Sequence, residues 1–174
     1  MRIEEKRATL AIHTLLEKYV DWTATESRCG ICENYDRIWS CPTYDFSVEA
    51  YWRQFFSVQL LATKIYLDAD ELADVDKVLD QVHRDIRDYW RKNETLHIDS
   101  QYLAPGSCHL CPEGCTRKVG APCRRPDQLR YSIESLGGDV VALSEDVLGT
   151  KILWGSPEKP PEYYTLVSGL LLKR

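Results

Sequence analysis

The sequence lacks both an excess of basic residues and any long apolar run. Its 174 residues carry 22 Lys and Arg against 27 Asp and Glu, a formal net charge of −5. This balance argues against a general nucleic-acid-binding protein, since such proteins usually carry a basic excess. No apolar run approaches the ~20 residues that a membrane-spanning helix needs. We therefore expect a soluble, globular protein whose partners include neither nucleic acid nor a membrane.

A secretory signal is also missing. The first twenty residues, MRIEEKRATLAIHTLLEKYV, are charged and amphipathic, without an apolar core or a cleavage site. We therefore expect a cytoplasmic location, where thiols stay reduced. The seven cysteines also form an odd number, so an all-disulfide scheme would leave one thiol over. Both arguments favour metal ligation over disulfide bonds.

The common nucleotide-binding and metalloprotease motifs are absent from the sequence. It contains no G-x-G-x-x-G, no phosphate-binding P-loop and no H-E-x-x-H. A Ser-His-Asp arrangement cannot be argued from it either. Whether the protein is an enzyme stays open, and the chemistry is to be sought among the cysteines.

The hydrophobic pattern predicts an α+β fold with a mainly antiparallel sheet and packed helices. Residues 4–20 are predicted to form a helix, 57–67 a strand, and 68–93 the longest helix. Ser47 is the expected N-cap of a short helix, and a short element is expected around 96–103. Gly137 and Gly138 should end another short helix. A ferredoxin-like split βαβ arrangement is one candidate topology.

The C-terminal third is expected to complete this sheet. The segment DVVAL (139–143) is predicted to be a strand. The segments KILWG and YYTLVSGLLLKR are predicted to form a hairpin around the proline-rich turn SPEKPPE. One domain over residues 1–174 would then carry two irregular cysteine loops, at 29–45 and 106–127.

The second cysteine loop has the spacing Cys108-x2-Cys111-x3-Cys115-x7-Cys123. Structural zinc is commonly held by two C-x2-4-C knuckles with a longer spacer between them, which fits this spacing poorly. Closely placed cysteines followed by a later one are more typical of ferredoxin-type iron–sulfur sites. Basic residues crowd the loop and would stabilise a negatively charged cluster, although they also fit a solvated surface: Arg117, Lys118, Arg124, Arg125 and Arg130.

The first cysteine loop has the spacing Cys29-x2-Cys32-x8-Cys41 and supplies only three thiolates. A cluster held by three cysteines leaves one position open for a substrate, for water or for a fourth protein ligand. The alternatives are a fourth ligand from elsewhere or a site shared between the loops. The candidates for a fourth ligand are His13, His83, His97, His109, Glu33, Asp36 and Asp45. Aromatic residues near this loop could shield a cluster or could simply be core: Trp22, Tyr35, Trp39, Tyr44, Phe46, Tyr51 and Trp52.

Three ordered motifs, C-G-I-C-x8-C-P, G-S-C-H-L-C-x3-C-x7-C-R-R-P and S-I-E-S-L-G-G-D-V, resemble a bacterial and archaeal family of predicted metal-binding proteins, domain of unknown function 2284. The resemblance spans about residues 25 to 145. It implies metal or iron–sulfur binding through Cys29, Cys32, Cys41, Cys108, Cys111, Cys115 and Cys123, but it supplies no reaction. Departures at Thr43, Tyr131 and Ile133 concern loop shape and packing, not ligands.

Three functional hypotheses follow. The first is an electron-transfer protein with two [4Fe–4S] clusters, one closed by four cysteines and one held by three. The second is an enzyme that uses an open iron for sulfur transfer, desulfuration or dehydration. The third is a structural zinc module. A redox protein or a small sulfur-containing ligand is the expected partner, and the three-cysteine loop is the expected seat of ligand binding.

Overall fold

A four-stranded antiparallel sheet forms the centre of the molecule in the computed structural model, which describes residues 1–156 and 158–173. Its strands are β1 (Arg2–Ala11), β2 (Ser57–Tyr66), β3 (Gln101–Leu103) and β4 (Tyr164–Leu172), in the order β1-β2-β4-β3. The helices are α1 (Ile12–Lys18), α2 (Trp22–Cys29), α3 (Val48–Trp52), α4 (Ala69–Leu72), α5 (Val75–Leu96) and α6 (Val140–Ala142). The predicted α+β class with a mainly antiparallel sheet is confirmed.

The sheet contains one split βαβ unit. Strands β2 and β3 both pair antiparallel with β4, so they run parallel to each other with β4 between them. The chain connects β2 to β3 through α5. The predicted split arrangement is therefore present once, while β1 pairs with the outer edge of β2.

Both faces of the sheet are covered, because side chains alternate between the faces along each strand. On one face Leu61 and Ile65 of β2 pack with Val82, Ile86 and Trp90 of α5. The Trp90 indole N–H also donates a hydrogen bond of 2.9 Å to the Ser168 hydroxyl of β4. The opposite face packs against the helices and turns of the cysteine-rich half, with core residues that include Ile12, Leu15, Trp52, Leu136 and Leu143.

Several predicted elements are confirmed in outline. The strand over 57–67 is β2, and the element around 96–103 ends in β3. Ser47 caps α3, since its hydroxyl accepts from the Ala50 amide. The long helix is divided into α4 and α5 at Ala73 and Asp74. The short helix before Gly137 is a 3₁₀ turn, Glu134–Leu136.

Three element predictions are wrong. The segment predicted to be a helix over 4–20 forms β1 and then α1. Its first half buries little apolar surface, and pairing with β2 makes that half a strand. DVVAL is not a strand, because the Asp139 carboxylate accepts from the Val141 and Ala142 amides and starts α6. KILWG forms no strand, since β4 pairs with β2 and β3 instead. Pro157 of the predicted turn lies outside the described residues.

Helix α2 was not predicted from the sequence. Asp21 is its N-cap, and the carboxylate accepts a hydrogen bond of 2.9 Å from the Ala24 amide. The helix ends at Cys29 and so presents the first cysteine at its C-terminus. No helix in residues 1–156 and 158–173 is long and apolar enough to cross a membrane.

Candidate metal centre

The first cysteine group consists of Cys29, Cys32 and Cys41, which are joined by tight turns. The Cys32 amide donates to the Cys29 carbonyl over 2.9 Å, and the Cys41 amide donates to the Ile38 carbonyl over 2.9 Å. Cys29 and Cys41 are half-buried, whereas Cys32 is exposed. All three are free thiols. The loop therefore carries three uncommitted sulfur donors, one of which faces solvent.

The three thiols of this group are electrostatically coupled. The pKa of Cys41 is raised to about 11, chiefly by burial and also by the charges of Cys32 and Cys29, while the Ser40 hydroxyl opposes the shift. The pKa of Cys29 is raised by burial and by Cys32. Without a cation nearby, the buried thiols stay protonated. A bound metal would favour the thiolates and release their protons.

The second cysteine group consists of Cys108, Cys111, Cys115 and Cys123, all half-buried and free. Burial raises the pKa of Cys108, which is raised further by the charges of its three companions and is lowered by a hydrogen bond from the Leu110 backbone. The Arg125 amide donates to the Cys123 Sγ over 3.4 Å. Amide hydrogen bonds to sulfur are one of the ways in which proteins stabilise bound thiolates and tune iron–sulfur sites.

The second group opens into a cleft of about 600 Å³ between the cysteine loop and α5. All four cysteines of the group line it. Basic side chains dominate the charged lining, although the whole chain is acidic: Arg84, Arg87, Lys118, Arg124, Arg125 and Arg130, against Glu33 and Asp80. A complete set of four thiols is thus combined with access from outside.

The two cysteine loops interlock directly. The fully buried Ser40, which precedes Cys41, accepts a hydrogen bond of 3.0 Å from the Cys108 amide. The Trp39 indole N–H donates to the Ala121 carbonyl over 3.2 Å. The first loop is therefore attached to the second at both ends of the latter's cysteine run.

Arg117 is the main connector between the loops. Its guanidinium donates to the Cys41 carbonyl over 2.7 Å, to the Thr43 carbonyl over 2.7 Å and to the Ile38 carbonyl over 3.2 Å. It also forms an ion pair of 2.6 Å with Asp36, and only 10% of its side chain is exposed. This arginine acts first as a structural clamp, because it satisfies the carbonyl groups of a loop that has little secondary structure.

The other basic residues of the second loop have distinct surroundings. Arg130 forms an ion pair with Glu94 at 2.7 Å, in which both side chains are mostly buried. Arg124 pairs with Glu113 and donates to the Gly114 carbonyl. Lys118 and Arg125 line the cleft.

The residues that the sequence offered as candidates for a fourth ligand of the first group lie in several different environments. The rings of His83 and His109 stack at 5.9 Å between centroids beside the second group. Asp36 is paired with Arg117, and Glu33 lines the cleft. His97 follows the end of α5, and His13 lines a separate cavity of about 760 Å³. Asp45 raises the pKa of Tyr131.

Aromatic side chains form a layer beside the first group. Tyr44 stacks on Phe46 at 4.8 Å between ring centroids, and Tyr131 meets Tyr44 edge-on at 5.2 Å. The Tyr44 hydroxyl donates to the Ser40 carbonyl over 2.8 Å. Trp52 is fully buried and donates to the Leu136 carbonyl over 2.8 Å, so it belongs to the core.

Glu134 is the residue that the sequence reasoning missed. Burial raises the pKa of its carboxyl group, and its charge contributes to the raised pKa values of Cys29 and Cys41. These effects, together with the contact between its turn and α2, associate this carboxyl with the first cysteine group. The available signal was a single glutamate inside the apolar motif S-I-E-S-L-G-G, which was interpreted only as a helix end.

In the part of the chain that the structure describes, no three His, Cys, Asp or Glu side chains are grouped as the ligands of one metal ion. A family described as predicted metal-binding protein (DUF2284) matches residues 16–172 of the 174. This match agrees with the resemblance carried by the three motifs. No curated protein and no solved structure matches the chain.

Proposed function

We propose, because the chain belongs to the DUF2284 family of predicted metal-binding proteins, that its seven cysteines hold two iron–sulfur clusters of the [4Fe–4S] type. Cys108, Cys111, Cys115 and Cys123 would hold one, and Cys29, Cys32 and Cys41 would hold the other. Bound clusters would supply one-electron redox chemistry. The proposed function is electron transfer through these two adjacent centres.

The observation that carries this proposal is the hydrogen bond from the Cys108 amide to the Ser40 hydroxyl. Ser40 directly precedes Cys41 in the chain. One hydrogen bond therefore connects the neighbour of Cys41 in the first group to Cys108 in the second. The thiols within each group are electrostatically coupled, and all seven are free. A donor set of closely spaced, reduced thiols suits soft metals and iron–sulfur clusters better than hard cations.

The chain's own residues contribute three properties to such centres. The Leu110 and Arg125 amides donate hydrogen bonds to Cys108 and Cys123. Arg117 holds the first loop against the second. The aromatic layer around Tyr44 limits the access of water to one side of the first group. Hydrogen bonding and solvent exclusion are both means of setting a cluster's potential.

The basic cleft supports a proposal for the partner. A redox protein with an acidic surface would be attracted to the lining arginines, and such attraction mainly raises the association rate. Reduction of the loaded protein by an acidic flavodoxin-type carrier should therefore slow as salt increases. A rate that does not depend on salt would contradict an acidic partner.

A second candidate function is an enzyme in which an open metal position at the first group takes a substrate. The exposure of Cys32 favours it, because this side of the group is accessible to a small ligand. Sulfur transfer, desulfuration and dehydration are the reaction classes that such a Lewis-acidic position suits. The third candidate, a zinc module that fixes the two loops together, is supported by their interlocking.

The deciding experiment is anaerobic purification, followed by measurement of iron, sulfide and zinc per chain. Two clusters predict a brown protein with about eight irons and about eight sulfides, since each cluster holds four of each. About four irons would indicate one shared cluster or one empty site. Zinc without iron would contradict the leading proposal and support the zinc module.

A further inference from the structure

The Glu134 carboxyl group contains an oxygen that nothing in the protein satisfies. Its Oε2 is one of three buried side-chain polar atoms without a hydrogen-bond partner in residues 1–156 and 158–173; the other two are the hydroxyls of Thr63 and Thr165. Glu134 is therefore the only ionisable member of that described set. An unpaired buried carboxylate is costly, so a carboxyl retained in this position points to a partner that binds it.

The backbone around Glu134 is firmly held. The Ser132 amide donates to the Ser135 hydroxyl over 3.1 Å, and the Ser135 amide donates to the Ser132 hydroxyl over 3.2 Å. The Leu136 carbonyl accepts from the Trp52 indole. A Cβ at Gly138 would lie 2.4 Å from the Ile133 Cγ2, so the chain after the turn fits only a glycine. The carboxyl group is thus presented by a rigid turn in the core.

The turn packs against α2, the helix that ends at Cys29, and the Asp21 amide at the start of α2 donates a hydrogen bond of 3.0 Å to the Gly137 carbonyl. Ser135 lies within hydrogen-bonding reach of the Tyr44 phenol, which itself donates to the Ser40 carbonyl next to Cys41. A hydrogen bond from the Gly106 backbone amide to the Glu134 carboxyl opposes the effect of burial on the pKa of that carboxyl. Gly106 lies two residues before Cys108. The turn that carries Glu134 therefore packs against the helix that leads into the first loop, and its carboxyl interacts with the chain just before the second loop.

Three thiolates and a carboxylate drawn together at one centre would repel one another. A cation or a metal cluster removes that repulsion and uses all four groups as ligands. We propose that Glu134, through Oε2, is the fourth protein ligand of the metal centre held by Cys29, Cys32 and Cys41. This inference rests on the proposed function, since it assumes that the first group binds metal.

An oxygen ligand would make the first centre chemically unlike the second. Carboxylate is a harder ligand than thiolate and holds soft metals less firmly. The iron bound by Glu134 would be the one that exchanges its ligand most readily. If the protein is an enzyme, its substrate would displace the Glu134 carboxylate from this iron. Without substrate, the carboxylate would occupy the position.

The test compares wild type with Glu134→Gln, Glu134→Cys and the matched control Glu145→Gln, whose residue is exposed. Each protein is reconstituted anaerobically with ⁵⁷Fe and sulfide. Mössbauer spectra should show one oxygen-ligated iron in wild type and in Glu145→Gln. This component should be lost in Glu134→Cys, because all ligands are then thiolates. Release of iron to a chelator should be roughly 10-fold to 100-fold faster in Glu134→Gln than in wild type.

A purely structural role for Glu134 predicts a different result. The metal-free Glu134→Gln protein should unfold no more easily than metal-free wild type, because the amide keeps one oxygen for the Gly106 amide and replaces only the unpartnered Oε2. Metal-free unfolding that is much easier in Glu134→Gln, with wild-type iron release in the folded fraction, would overturn the inference. Identical Mössbauer spectra for wild type and Glu134→Cys would overturn it as well.

The proposed function fails separately, if wild type takes up no iron or sulfide. Co²⁺ then serves as the probe, and its absorption bands distinguish three thiolates with one oxygen from four thiolates. Weaker Co²⁺ binding to Glu134→Gln than to Glu145→Gln would still support ligation by Glu134. Equal binding, or no binding of Co²⁺ to wild type at the first group, would overturn it.

Discussion

The two cysteine groups differ in ways that spacing alone does not reveal. The second has four thiols, yet it opens into a basic cleft of about 600 Å³. The first has three thiols, one of them exposed, and is backed by aromatic rings and the buried Glu134 carboxyl. A complete ligand set and exclusion from solvent are therefore separate properties. On the proposed function, the group with four thiols would exchange electrons with a partner, and the group with three would bind a ligand.

The largest expected effect distinguishes two separate centres from one shared centre. Cys108→Ser should lower the iron content of reconstituted protein from about eight to about four per chain, and Cys41→Ser should do the same, because each loop would hold its own four-iron cluster. Iron and sulfide analysis measures both. If either substitution removes all the iron, the two loops share one centre and the contrast between the groups disappears.

Loss of the clamp between the groups should have the next largest effect. Arg117→Gln removes a charged donor from the Ile38, Cys41 and Thr43 carbonyls. Hydrogen bonds to charged groups contribute about 1.5–3 kcal/mol each, and the Gln amide can replace part of them, so we expect the free energy of unfolding to fall by about 2–4 kcal/mol. Urea denaturation of the metal-free protein measures the loss.

Arg124→Gln provides the control for Arg117→Gln, since Arg124 pairs with Glu113 on the surface. Exposed ion pairs contribute about 0–1 kcal/mol. Equal losses in the two variants would show that Arg117 has no special part in joining the loops.

A smaller effect is expected at Ser40, which accepts the hydrogen bond from the Cys108 amide. Ser40→Ala leaves the Cys108 amide without its acceptor and should cost about 1–3 kcal/mol. If the centres are coupled through this residue, the reduction potentials of both should shift in redox titrations. Ser107→Ala is the control, because Ser107 bonds only His109 at the surface. A potential shift confined to one centre would mean that Ser40 supports only that group.

The sequence predicts the central strand better than it predicts the edges of the sheet or the position of Glu134. Local spacing determines which thiols converge within one loop, so Cys108 to Cys123 can be grouped by inspection. Glu134 is more than ninety residues from Cys41 in the sequence, and only the packing of its turn under the first loop brings them together. The N-terminal strand was missed for a related reason, since its partner begins at Ser57.

The last prediction uses pH to compare the groups in the metal-free protein. Folding raises the pKa of Cys41 from an ordinary value of 9.0 to about 11, chiefly through burial. In that interval the folded state keeps a proton that the unfolded state has lost, so stability falls as pH rises from 9.0 to about 11. Thermal unfolding across this range should show a smaller decline in Cys41→Ala than in wild type. Cys32→Ala should keep the wild-type slope more closely, because burial is a larger cause of the raised Cys41 pKa than the charge of Cys32. If both variants lose the slope equally, burial does not distinguish the cysteines of the first group, and the contrast between its protected and open sides is wrong.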